Sequence, residues 1–294
     1  MPMETITEDE PKGPQSESLQ SAGFYWRERD GVRALICAPL EQAGFTNAFS
    51  TRLGGVSPMP QDSLNLAGFN EDTAENIYEN RRRFLKLLDG DWTLTSCWQV
   101  HGSEVRVVHN LADARNDTEN CDALTTRTAG ILLGVKTADC VPLLVGDART
   151  GAVAGIHAGW RGTVAGVVSQ TLTRMKEEFG SRPEDLRVAI GPAASGCCYE
   201  VGGEVIDAFL KSFPAMKDHL KPTREGHALI DLQRANADLL VAAGVNREQI
   251  HPAPFCTMER TDLFFSYRQE KKLYGRVGRL MAVIGRAEIP GLVQ

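Results

Sequence analysis

Long hydrophobic runs are missing from this sequence. No window approaches the ~18 consecutive apolar residues that a membrane-spanning helix needs, and the start of the chain lacks the basic segment and apolar stretch of a secretory leader. Charge of one sign is also lacking. The net charge is −6, but residues 1–22 carry five acids against one lysine and account for −4 of it. The remaining −2 gives no general case for nucleic acid or an acidic membrane as partner. The polar 1–22 segment reads as a disordered acidic tail, and 23–294 as a single domain. Seven cysteines, an odd number at irregular spacings, fit reduced thiols in a cytoplasmic protein better than a disulfide framework.

The common signatures of catalysis are absent too. There is no G-x-G-x-x-G, G-x-x-x-x-G-K, G-x-S-x-G or H-E-x-x-H, which removes the usual nucleotide-binding, serine-hydrolase and zincin arrangements. The H-x-E with P-C-x-x-C pattern of zinc deaminases is also missing. With no H-x-H and no C-x-x-C among six histidines and seven cysteines, a cluster of several copper ions is hard to assemble.

What is present centres on residues 131–162. Two Val/Ile/Leu-rich runs end in groups able to bind metal: the first delivers Asp139 and Cys140, and the second delivers His157 followed by A-G-W-R-G. Upstream, Q-V-H-G places His101 after another strand-like run. Two imidazoles and a thiolate suit zinc, with a fourth position left for water, whose pKa zinc lowers towards ~7. The spacings alone fit equally a buried cysteine and hydrogen-bonded histidines. Arg161, directly after His157 at a helix start, adds a cation suited to an anion, and Arg52 beside Gly54 and Gly55 reads either as a second one or as part of a surface turn.

The remaining periodicities predict strands over 93–100 and 104–108 joined around His101, others at 131–136, 141–145, 152–156, 187–190 and 279–284, and helices over 72–88, 163–179 and 203–213 and after Asp231. Strands and helices mixed in this way, with no linker or internal repeat, predict an α/β (α+β) fold with mixed sheets flanked by helices.

Ten short motifs occur in order: STRLGGVS (50–57), SLNL (63–66), ENRRR (79–83), QVHG (99–102), TADCVPLL (137–144), HAGWRG (157–162), IGPA (190–193), YEVG (199–202), CT (256–257) and FFSYR with GR (264–268, 275–276). Together they resemble the YfiH family, also called laccase-domain or polyphenol oxidase proteins, over roughly residues 24–286. The resemblance implies a single-domain α/β fold related to the cytotoxic-necrotizing-factor-like cysteine hydrolases. It also implies a zinc site of His101, Cys140 and His157. The implied activity is phosphorolysis of adenosine, inosine, guanosine and methylthioadenosine, with deamination of adenosine. Gln269 stands where the family often has a second basic residue. Joined to the chemistry, this makes His101, Cys140 and His157 the catalytic and metal-binding residues and purine nucleosides and phosphate the small-molecule partners. Arg52, Asn65 and Arg161 are expected to hold substrate or phosphate, and Asp139 and Gln99 to orient the ligands.

Three other readings use the same residues: a cysteine hydrolase with Cys140 as nucleophile and His157 as base, a copper-dependent phenol oxidase, and a non-catalytic, metal-stabilised binding module. Cys197, Cys198 and Cys256 are expected to pack in loops near the pocket. The expected assembly is a monomer or weak homo-oligomer.

Overall fold

The computed structural model describes residues 14–59, 63–116 and 118–287. Two six-stranded sheets face each other. From edge to edge, the first runs Phe24–Arg29, Val32–Cys37, Thr46–Ser50, Leu280–Gly285, Ile131–Thr137, Thr93–Thr95. The second runs Ile250–Pro252, Leu186–Ile190, Val141–Asp147, Val153–Ala158, Ala123–Thr126, Val105–Val107. Both are mixed and mostly antiparallel, the first with a parallel strand at one edge and the second with one at each edge. A three-stranded sheet of Glu200–Gly202, His227–Ile230 and Leu220–Pro222 lies beside them.

Side-chain alternation explains the layering. Along Ile131–Thr137, Ile131, Leu133 and Val135 turn towards the second sheet and meet Leu144, Val153 and Ala189. Leu132 turns outward and packs with Ile36, Met281, Leu64 and Phe84, the last from the helix Ala74–Leu85. On the far side, Val141, Leu143 and Val145 pack against Val168, Met175, Ala235 and Leu240 from the helices Val167–Phe179 and Leu232–Ala242. The order is therefore helix, sheet, sheet, helices. Both central strands are covered on both faces, which is why they read as continuous apolar runs rather than alternating ones. No helix among the described residues is long and apolar enough to cross a membrane.

Three expectations about local structure are corrected. The strands expected over 93–100 and 104–108 are shorter, Thr93–Thr95 and Val105–Val107, and one belongs to each sheet, so the turn holding His101 is a crossover between sheets. The helix expected over 163–179 is two helices, Trp160–Val164 and Val167–Phe179, separated by Gly166 at φ 82°. The apolar period runs across the break and hides it. Part of the expected disordered segment is ordered: Pro14–Ser21 is helical, with Leu19 buried in the inter-sheet core. Residues 1–13 lie outside the described residues.

Leu144 is fully buried where the sheets meet. Leu144→Ala is expected to lower unfolding stability by about 2–5 kcal/mol, read from the midpoint of urea denaturation.

Candidate metal centre

The chain passes from the first sheet to the second at two neighbouring places, and each crossover carries a candidate ligand. Residues 138–140 join Ile131–Thr137 to Val141–Asp147 and hold Cys140. Residues 96–104 make the other crossing and hold His101. His157 comes from within a strand, opposite Pro142 on the neighbouring Val141–Asp147. The ligand atoms of His101, Cys140 and His157 all lie within 4.8 Å of one another. The two rings stand edge to face, with centroids 4.9 Å apart.

Two residues at the crossovers adopt backbone angles uncommon for any residue but glycine: His101 at φ 63° and Asp139 at φ 86°. Such conformations cost of order 1–3 kcal/mol and persist only where the surroundings fix them. At His101 the fixing group is Asp122, a fully buried carboxylate. It accepts backbone N–H groups from Val100 (3.2 Å), His101 (2.9 Å) and Gly102 (2.7 Å). The same carboxylate lies 2.7 Å from His157 Nδ1, while the Asp122 carbonyl accepts the His157 N–H at 2.7 Å. Occupying Nδ1 leaves Nε2 to face the other ligands, the usual arrangement behind a metal-binding histidine. Gln99 clasps the Lys136 backbone, accepting its N–H (2.8 Å) and donating to its carbonyl (2.7 Å). The His101 turn is thereby tied to the strand that leads to Cys140.

Asp139 accepts Thr257 Oγ1 and the Arg268 N–H, each at 2.7 Å. It pins the 257 and 266–268 loops to the Cys140 crossover and touches neither histidine through these bonds. Gly159 lets the next helix approach: a Cβ there would lie 3.0 Å from both Cys140 Sγ and the His101 ring.

The electrostatics pair Cys140 with His157. Burial on its own would raise the thiol, but the His157 charge and hydrogen bonds from both histidines outweigh it and bring Cys140 down to about 6. Burial likewise disfavours charge on His157, yet the Cys140 thiolate and the Asp122 hydrogen bond raise it to about 9. Between these values the metal-free centre holds a thiolate and an imidazolium. Asp122 stays below the usual carboxylate range despite its burial, because His157 and the Gly102 and His101 N–H groups favour its charge.

Two expected substrate residues are committed elsewhere. Arg52 is buried in an ion pair with Glu270 at 2.8 Å, donates to the Thr261 and Met59 carbonyls, and lies over the Phe265 ring. Asn65 is fully buried, donating to Asp72 and accepting the Arg279 N–H. A phosphate-holding role for either finds no support in these contacts, which use their polar groups for packing. Arg161 remains outward-facing over Trp160, with a 3.2 Å contact to Glu204. The sequence reading missed Asp122, Gly159 and the Tyr199–Arg268 pair. Tyr199 lies close enough to the centre that its hydroxyl, raised to about 12 chiefly by burial, also feels the Cys140 charge; the Arg268 guanidinium sits over its ring at 5.0 Å. Motifs Y-E-V-G and F-F-S-Y-R carried the signal for the last two.

A double-sheet fold with a His₂Cys cluster at its crossovers defines the class of protein. The model of the family described as multi-copper polyphenol oxidoreductase laccase matches residues 46–287. The purine nucleoside phosphorylase YlmD of Geobacillus stearothermophilus is 34% identical over 86% of this chain and 94% of its own. A purine nucleoside phosphorylase of Deinococcus radiodurans is 40% identical over 81% and 88%. The crystal structure of the Bacillus licheniformis hypothetical protein YfiH superposes with a TM-score of 0.81 at 30% identity, covering 89% of this chain and 98% of that one. The chain belongs to this laccase-domain family, the YfiH proteins.

Asp122→Asn removes the charge that holds both the His101 turn and His157. It is expected to weaken metal binding at this centre by roughly 10–100-fold, measured with added zinc as the probe in competition with a chromophoric chelator. In metal-free protein, alkylation of Cys140 is expected to rise with pH and level off above about 6, because the thiolate is the reactive form. A profile still rising through the ~8.5 of an ordinary thiol contradicts the charge pair.

Proposed function

We propose that the chain is a zinc-dependent purine nucleoside phosphorylase that works at the His101–Cys140–His157 centre and also deaminates adenosine. The observation that carries the proposal is Asp122 fixing His157 through Nδ1 while holding the turn of His101, which leaves three donors converging on one point. Two nitrogens and a thiolate are a sound ligand set for zinc with one position left open, and the relatives named purine nucleoside phosphorylases supply the reaction class. Bound zinc supplies a Lewis acid at that point.

The chain's own residues account for the rest. Asp122 keeps the proton on His157 Nδ1, and Gly159 keeps the centre open to close approach of the helix behind it. Arg161, the first outward-facing guanidinium after His157, is assigned to phosphate, whose oxygens match its fork. Tyr199, braced by Arg268, offers an aromatic face beside the centre for a purine. In phosphorolysis a phosphate oxygen bonds to the ribose anomeric carbon as the bond to the purine nitrogen breaks, and the base leaves with a proton. Adenosine, inosine, guanosine and methylthioadenosine are the proposed substrates.

A second reading rests on the Cys140–His157 charge pair, which is also how a cysteine hydrolase prepares its nucleophile. That reading requires activity that survives chelation. A multi-copper oxidase is not favoured: among the described residues, the other His/Cys cluster contains no histidine.

With purified protein, adenosine is expected to yield adenine only when phosphate is present and inosine when it is not. Zinc should co-purify, and His101→Ala or Cys140→Ala should remove metal from this centre together with both activities. A metal-free variant with full turnover overturns the proposal.

A further inference from the structure

Outside this centre, three more cysteines meet. Cys197 and Cys198 occupy a turn after the strand Leu186–Ile190, and Cys256 lies 58 positions further on. Cys198 Sγ is 3.3 Å from Cys197 Sγ and 3.2 Å from Cys256 Sγ, and all three sulfurs lie within 4.8 Å of one another. The two segments are locked together by a parallel bridge of Ala193 to Cys256 and by the Thr257 N–H on the Ala193 carbonyl at 3.0 Å. The Ser195 N–H points at Cys256 Sγ from 3.5 Å. Exposure is graded: Cys256 is buried, Cys198 half-buried and Cys197 exposed, so the trio has a floor and an open mouth. A core cluster would bury all three.

We propose that Cys197, Cys198 and Cys256 form a second metal site, an all-thiolate one, for a soft d10 cation, either zinc or cuprous copper. Thiolates select these ions. The proposal is independent of the reading of the histidine centre. Binding replaces the remaining thiol protons, which pass to solvent as each sulfur bonds to the ion. With metal–sulfur bonds of ~2.3 Å, two thiolates on one tetrahedral ion stand about 3.8 Å apart, so the sulfurs need open by only about half an ångström. Exposed Cys197 and half-buried Cys198, both on the turn, make that adjustment against buried Cys256. Three protein ligands leave zinc one position for water at the mouth, and cuprous copper needs no fourth.

The test uses full-length protein, reduced and stripped of metal. It is titrated with zinc in one arm and, without oxygen, with cuprous ion in the other, each against a chromophoric chelator. Wild type is expected to take up a second equivalent beyond that of the histidine centre, and the arm with tighter uptake identifies the ion. Cys197→Ser/Cys198→Ser should lose the second equivalent and keep the first, while Cys140→Ser keeps the equivalent on the trio. Cys197→Ser alone changes an exposed side chain, so folding is spared; it should weaken the second equivalent roughly tenfold or more, the scale on which metal sites answer to altered surroundings. Equal uptake by wild type and by the double variant overturns the proposal. So does a Cys198–Cys256 disulfide in protein purified without oxygen or reductant.

Discussion

One buried carboxylate sets the geometry on which the centre depends. Asp122 accepts three consecutive backbone N–H groups at the His101 turn and faces His157 Nδ1. A charged group with no exposed surface is costly unless every lone pair is used, and here the partners are the two segments that must be aligned. Removing the charge strands these N–H groups and frees the ring together. The cost of burying Asp122 and the strain of His101 at φ 63° are thus joined: the first supplies the bonds that hold the second.

The double sheet makes this possible. Each crossover between sheets is a short path from one packed layer to the next, and its ends are fixed by strands buried on both faces. Cys140 follows Asp139, whose carboxylate ties the crossover to Thr257 and Arg268, while Gln99 ties the His101 turn to Lys136. Ligands held by rigid strand ends need little reorganisation when an ion binds. The segments of the three-cysteine cluster are anchored to the same crossover through Ala194 and Thr257, both hydrogen-bonded to Asp139.

Much of this was legible in the residues. Continuous apolar runs marked the buried central strands, and the motifs beside those runs carried the three residues that the fold brings within 4.8 Å of one another. Asp122 was not legible because a lone acid before a strand has many uses, and its partners lie 20 to 22 and 35 positions away. Arg52 beside two glycines looked like a surface cation; its partner Glu270 is 218 positions on. Alternation identified strands around His101 but carried no information about which sheet each would join. Gly166 left the apolar period intact while turning the backbone, so one helix was expected where there are two.

The most direct test is a crystal of the zinc-loaded protein, with anomalous difference maps recorded on both sides of the zinc absorption edge. The account predicts a peak bonded by Cys140 Sγ, a His101 nitrogen and His157 Nε2, with Asp122 still on His157 Nδ1 and on the 100–102 N–H groups. No peak between these residues, or zinc on Nδ1 with Asp122 turned away, would contradict it.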